Sequence, residues 1–114
     1  MAYNKYSNIK TVVDGIKFAS KGEARRYCEL LLLQRAGQIK NLRLQPSYTL
    51  QESFTAFSGK RVLPIRYVAD FEYIDVATGR TTVEDFKGVS TKEFIIKMKM
   101  FLKRYQDYVY MLID

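Results

Sequence analysis

Two aspartates and a lysine in the second half of the chain are the residues best suited to chemistry. Asp85 and Lys87 stand two apart in Thr82-Val83-Glu84-Asp85-Phe86-Lys87-Gly88. In an extended strand such positions share a face, roughly 6.5 Å apart, so a carboxylate and an ammonium converge on one patch. A second acid, Asp70, lies in the apolar run Tyr67-Val68-Ala69-Asp70-Phe71, and a turn at Thr78-Gly79 would fold the two runs together as a hairpin. Two readings stay open. A lysine opposite an aspartate on paired strands is commonly a structural ion pair. Against that, two carboxylates among Val68, Ala69, Phe71 and Phe86 carry a desolvation cost that one ammonium does not offset, and a divalent cation would. Magnesium suits the inventory, because it takes oxygen ligands, needs only one or two carboxylates, and completes its shell with water and phosphate. The expected chemistry is metal-dependent hydrolysis of a phosphodiester.

The composition narrows the alternatives. The chain has no histidine, which removes the Ser-His-Asp triad, the usual zinc sites and the histidine-metal nuclease motifs together. Lys and Arg number 19 against 12 Asp and Glu, a formal charge of +7. Such an excess favours a polyanionic partner, nucleic acid first, since neutralising phosphates releases counterions. A lone cysteine, Cys28, cannot form an internal disulfide, which fits a reducing compartment. No apolar run approaches the roughly 20 residues of a membrane span, and Met1-Ala2-Tyr3-Asn4-Lys5 lacks the apolar core of a signal peptide. The expectation is a cytoplasmic protein without membrane contact. The 114 residues are enough for one domain and one core.

The elements that must position these residues follow from pattern. Residues 1–10, with Tyr3, Lys5, Tyr6 and Lys10, show no buried period and are expected to form a flexible basic arm. Asp14-Gly15 between β-branched residues predicts a small hairpin. Ser20-Lys21-Gly22-Glu23 matches a capping box, opening a helix that runs to Ala36 and stops at Gly37. Ala24, Tyr27, Cys28, Leu31 and neighbouring leucines form its expected buried face, with Arg25, Arg26 and Glu29 turned to solvent. Glu23 has two readings, a capping partner or an acid leaning toward Asp70 and Asp85. From Ile39 a period of two places Leu42, Leu44, Tyr48 and Leu50 on one face of a strand, with Arg43, Gln45, Ser47 and Thr49 on the other. Pro46 marks an edge, bulge or kink in it. Residues 51–60 read as a loop or hairpin tip, 62–75 as a long second strand and 80–88 as a third, joined at Ala77-Thr78-Gly79. Ser90 or Thr91 caps a second helix, with Ile95, Met98, Phe101, Leu102 and Tyr105 as its apolar stripe. Lys92, Lys99 and Lys103 occupy another face, solvated or turned toward a bound anion. Tyr108 to Ile113 closes the domain as a strand, and strand-helix-strand predicts parallel pairing.

An acid on one strand followed by acid, any residue, lysine on the next resembles the signature of the PD-(D/E)XK nuclease superfamily. Here the signature falls on Asp70 and on Asp85-Phe86-Lys87, and Ala69 stands where the superfamily's name has proline. Across the chain, including Phe18 to Tyr27, Leu44-Gln45-Pro46 and Val83 to Gly88, the sequence is similar to small phage-encoded members of Holliday-junction-resolvase type. The resemblance implies a restriction-endonuclease-like α-β-β-β-α-β core, with a mixed central sheet flanked by helices and a short N-terminal hairpin added. It implies that Asp70, Asp85, the Phe86 carbonyl and Glu23 hold Mg²⁺, with Mn²⁺ able to replace it, and that Lys87 orients the attacking water or stabilises charge. It further implies cleavage of branched or four-way DNA by a homodimer, with Lys5, Arg43, Gln45, Lys92, Lys99 and Lys103 as backbone contacts.

Overall fold

The structure, a computed structural model, describes residues 11–86 and 90–113. The expected basic arm, Lys5 and Lys87 lie outside the described residues. β1 (Thr11–Val13) and β2 (Ile16–Phe18) form a hairpin across Asp14-Gly15. Both turn residues have positive φ, 54° and 76°, the left-handed backbone that a short Asp side chain and glycine tolerate. α1 (Lys21–Arg35) follows, capped by Ser20, whose Oγ accepts from the Glu23 N–H at 3.2 Å. It ends at Ala36, before Gly37 in left-handed backbone.

Next come β3 (Ile39–Leu44), β4 (Ser47–Gln51), β5 (Phe54–Thr55), β6 (Arg61–Val62), β7 (Ile65–Val68), β8 (Phe71–Asp75) and β9 (Thr81–Phe86), then α2 (Lys92–Arg104) and β10 (Val109–Ile113). The central sheet has the order β10-β9-β8-β3. Its β9–β10 pair is parallel and the others antiparallel, so the protein is mixed α/β, as its pattern predicts. Thr91 supplies the α2 N-cap, its Oγ1 accepting from the Phe94 N–H at 3.1 Å. No helix among the described residues is long and apolar enough to cross a membrane.

The two long strands expected at 39–50 and 62–75 are each broken. β3 and β4 part at Gln45-Pro46, and β7 and β8 part at Ala69-Asp70. The breaks lie opposite each other: the Gln45 N–H donates to the Asp70 carbonyl at 2.9 Å, and the Ala69 N–H to the Pro46 carbonyl at 3.1 Å. Gln45 takes a φ of 49°, and Pro46 has no N–H to continue a ladder. The ribbon therefore changes sides. Leu42, Leu44, Phe71 and Tyr73 pack under α1, whereas Tyr48, Leu50, Tyr67 and Ala69 pack with α2. One continuous alternation had placed Leu42, Leu44, Tyr48 and Leu50 on a single face; the left-handed step at Gln45 splits them between two cores. β5 and β6 pair as the hairpin tip expected there.

Each helix covers one face of the sheet. Under α1 lie Phe18, Ala24, Tyr27, Leu30, Ile39, Phe71 and Tyr73. On the other face Phe101 is the hub, its ring centroid 4.8 Å from Tyr48, 5.0 Å from Tyr105 and 5.2 Å from Tyr67. The α2 stripe is centred on Phe94, Met98, Phe101 and Tyr105, a 4-3-4 spacing. That centring leaves Ile95 and Leu102, expected in the stripe, on an exposed flank. On α1, Cys28 is exposed rather than buried.

Arg26 departs most from its expected solvent position. Its Nε and Nη2 each donate at 2.8 Å to the two carboxylate oxygens of Glu84, which is fully buried on β9, and the Tyr73 hydroxyl also donates to Glu84. A buried carboxylate left without its cation is strongly destabilising. Arg26→Ala should therefore cost about 3–5 kcal/mol in urea unfolding, against under about 0.5 kcal/mol for Arg25→Ala on the exposed side. Burial, then the bond to Glu84, push the Tyr73 hydroxyl up to about 12. The neutral phenol is the form the fold favours, so its contribution is complete below pH about 10 and is lost as pH rises through the folded value. The urea midpoint should fall between pH 10 and 12, and fall less in Tyr73→Phe.

Candidate functional site

β9 carries acids on both of its faces, and the partners differ. Glu84 turns toward α1 and its guanidinium clamp; Asp85, one residue on, turns to the opposite face and is likewise fully buried. There the Tyr67 hydroxyl donates to Asp85 Oδ2. The Tyr67 and Tyr110 hydroxyls are 2.8 Å apart. Because the Tyr67 proton serves Asp85, Tyr110 is the donor to Tyr67.

Asp70 stands at the break between β7 and β8. Its N–H donates to the Glu84 carbonyl at 3.1 Å, and its Oδ2 accepts from the Phe86 N–H at 2.6 Å. These bonds straddle Asp85, so the strand break sets one aspartate against the other. The charges of both reach the Tyr110 hydroxyl: burial foremost, and then Asp85 and Asp70, push it up to about 12, against a lowering by its bond to Tyr67. Burial, followed by the bond to Asp85, also raises the Tyr67 hydroxyl.

The other predicted residues are placed as follows. Glu23 is buried in the first turn of α1, and its amide is capped by Ser20. That turn sits over the end of β9, since a Cβ on Gly22 would lie 3.8 Å from Phe86 Cε2. Among the described residues no three carboxylates or thiols form a group able to hold one metal ion; the fold gathers Asp70 with Asp85. The donor types still fit a hard cation, two carboxylates beside the Phe86 peptide being oxygen ligands of the kind magnesium takes. Gln45 is exposed, and its backbone braces Asp70. Arg43 is exposed and pairs with Glu72 at 3.1 Å, while Lys92, Lys99 and Lys103 are exposed on α2. A cleft of about 250 Å³ between β7 and the start of α2 is lined by Arg66, Tyr67, Val68, Thr91, Glu93, Phe94 and Lys97. In it Lys97 pairs with Glu93 at 3.0 Å.

With this geometry in view, the chain matches, over residues 3–113, the family described as protein of unknown function, DUF1064. The chain belongs to the DUF1064 family. No curated protein and no solved structure matches it.

Sequence reasoning overlooked Tyr67, Tyr110 and Arg26 in this DUF1064 chain. A signal existed for each: a tyrosine inside an apolar strand needs a partner for its hydroxyl, and two consecutive acids, Glu84 and Asp85, on an inner strand need donors or a cation on both of its faces. Asp70 is the joint of the site, which gives a test independent of any activity. Asp70→Ala should lose about 1–3 kcal/mol, the cost of a half-buried amide stripped of its charged acceptor. Asp70→Asn should lose less, and amide hydrogen exchange at Phe86 should accelerate in the alanine variant before the rest of β9.

Proposed function

We propose that this DUF1064 chain is a metal-dependent, structure-selective DNA endonuclease with a PD-(D/E)XK-type core, acting on branched DNA as a homodimer. The observation that carries the reading is the juxtaposition of Asp70 and Asp85, brought together by a strand break beside the end of β9. The order α1, β3, β8, β9, α2, β10 of the sheet and its covering helices supports the same reading, as does the net charge of +7. Asp70, Asp85 and the Phe86 carbonyl would hold Mg²⁺ or Mn²⁺, with Glu23 at the start of α1 as a further acid. The chemistry such an ion supplies is polarisation of the phosphoryl oxygen and a water acidic enough to attack it.

The chain's own residues supply the rest. Lys87, two residues beyond Asp85 in sequence, brings an ammonium to orient that water and stabilise the charge that develops on phosphorus oxygens. Lys92, Lys99 and Lys103 on α2, with Arg43, Gln45 and Lys5, hold the sugar-phosphate backbone, which positions DNA without reading its sequence. A two-fold dimer offers one such site to each of two symmetric strands.

A second reading has its own support. Asp85 is fully buried and both aspartates already accept hydrogen bonds, as they would in a non-catalytic DNA-binding module that keeps the fold. A labelled four-way junction separates the two. With Mg²⁺ the wild type should leave paired symmetric nicks near the crossover. Asp85→Asn and Lys87→Ala should each cut at least about 100-fold more slowly, the scale of losing one group that stabilises charge in the transition state, with junction binding retained in a gel shift. Binding without scission by the wild type establishes the module, and preferential nicking of flap or mismatched duplex reassigns the substrate to those forms.

A further inference from the structure

Resting on the nuclease reading, we propose that Tyr67 and Tyr110 are positioning residues, forming a relay of neutral hydroxyls that fixes the Asp85 carboxylate in the orientation a divalent cation requires. The relay joins three elements that are remote in sequence. Tyr67 comes from β7, on the part of the ribbon that has changed sides; Asp85 comes from β9; Tyr110 comes from β10, returned beside β9 by the α2 crossover. Tyr110 donates to Tyr67 across 2.8 Å, and Tyr67 donates to Asp85 Oδ2.

The Tyr67 ring cannot follow a wandering carboxylate. Its centroid lies 5.2 Å from Phe101 and 6.3 Å from both Phe94 and Tyr48, so its hydroxyl is a donor of fixed position, set by the core on the α2 face. A fixed donor on one carboxylate oxygen narrows the orientations open to the group and so to its other oxygen. Both buried acids of β9 accept from a phenol, Glu84 from Tyr73 and Asp85 from Tyr67. Glu84 is met by a guanidinium in a two-pronged bond, which cancels its charge and suits a structural lock. At Asp85 the Tyr67 phenol orients the carboxylate and adds no charge of its own. Groups that hydrogen-bond metal-ligating side chains act in this manner, and their loss lowers metal affinity or activity by about 10–100-fold.

Tyr67→Phe removes one oxygen and keeps the ring. The experiment is calorimetric titration of Mg²⁺ and of Mn²⁺ into the full chain without DNA, alongside junction cleavage as a function of Mg²⁺ concentration. Tyr67→Phe should weaken metal binding about 10–100-fold and shift half-maximal cleavage to higher Mg²⁺ by a like factor, with the rate at saturating Mg²⁺ recovering toward wild type. Tyr110→Phe should shift both in the same direction by less, because the Tyr67–Asp85 bond survives. Wild-type metal affinity in Tyr67→Phe overturns the relay. If Tyr67→Phe fails to fold, Tyr110→Phe decides, and unchanged affinity there overturns the relay equally. A wild type that binds neither metal, and so matches Asp85→Asn, overturns the nuclease reading and the relay together; a wild type that binds metal and cuts while Tyr67→Phe does the same overturns the relay alone.

Discussion

Two adjacent strands break at the same level, and the arrangement of everything on the α2 face depends on it. A strand that keeps its alternation presents one set of side chains to one face for its whole length. By stepping through left-handed backbone at Gln45 and leaving the ladder at Pro46, the first strand of the ribbon abandons the α1 core after Leu44. Its neighbour does so between Ala69 and Phe71, and the two steps hydrogen-bond to each other, so neither break leaves its inward polar groups without partners. The result is a ribbon that starts as half of the central sheet and ends as a wall around α2. Asp70 sits at this break, and its carboxylate turns back to take the Phe86 amide of β9.

β9 is the second constraint. It carries consecutive buried acids, Glu84 and Asp85, which alternation sends to opposite sides of the sheet. The side with Glu84 is anchored to α1 by Arg26, and the Tyr73 hydroxyl ties the same carboxylate to β8 in the register of the β8–β9 ladder. With that register fixed, Asp85 has one direction available, into the tyrosine-rich pocket built by β7, β10 and α2. The structural ion pair and the candidate functional acid are thus mechanically coupled through one peptide unit. Rigid placement of this kind is what a site needs if its geometry is to hold before a ligand arrives.

Turns and caps form where local chemistry decides. Asp14-Gly15, Ser20 with Glu23, Gly37, and Thr91 each performed the turn or cap that their backbone preferences imply. The breaks were only partly visible: Pro46 announced an irregularity, but nothing in 62–75 announces the one at Ala69-Asp70, because it is imposed by the neighbouring strand. Arg26 illustrates the same limit from the other side. Its place on α1 is three positions from Glu23 and one from Tyr27, on the margin of the apolar stripe, and only the presence of Glu84 beneath it turns the side chain inward.

By itself, then, the sequence determined the mixed α/β class of the fold, the caps and turns, and the excess of positive charge, since each of these follows from composition or from preferences that act within a few residues. The tertiary structure decided which face each half of the ribbon presents, that Arg26 rather than solvent answers Glu84, and that Tyr67 and Tyr110 converge on Asp85. Those outcomes depend on contacts between residues tens of positions apart, where the cost of burying a polar group without a partner outweighs any local preference.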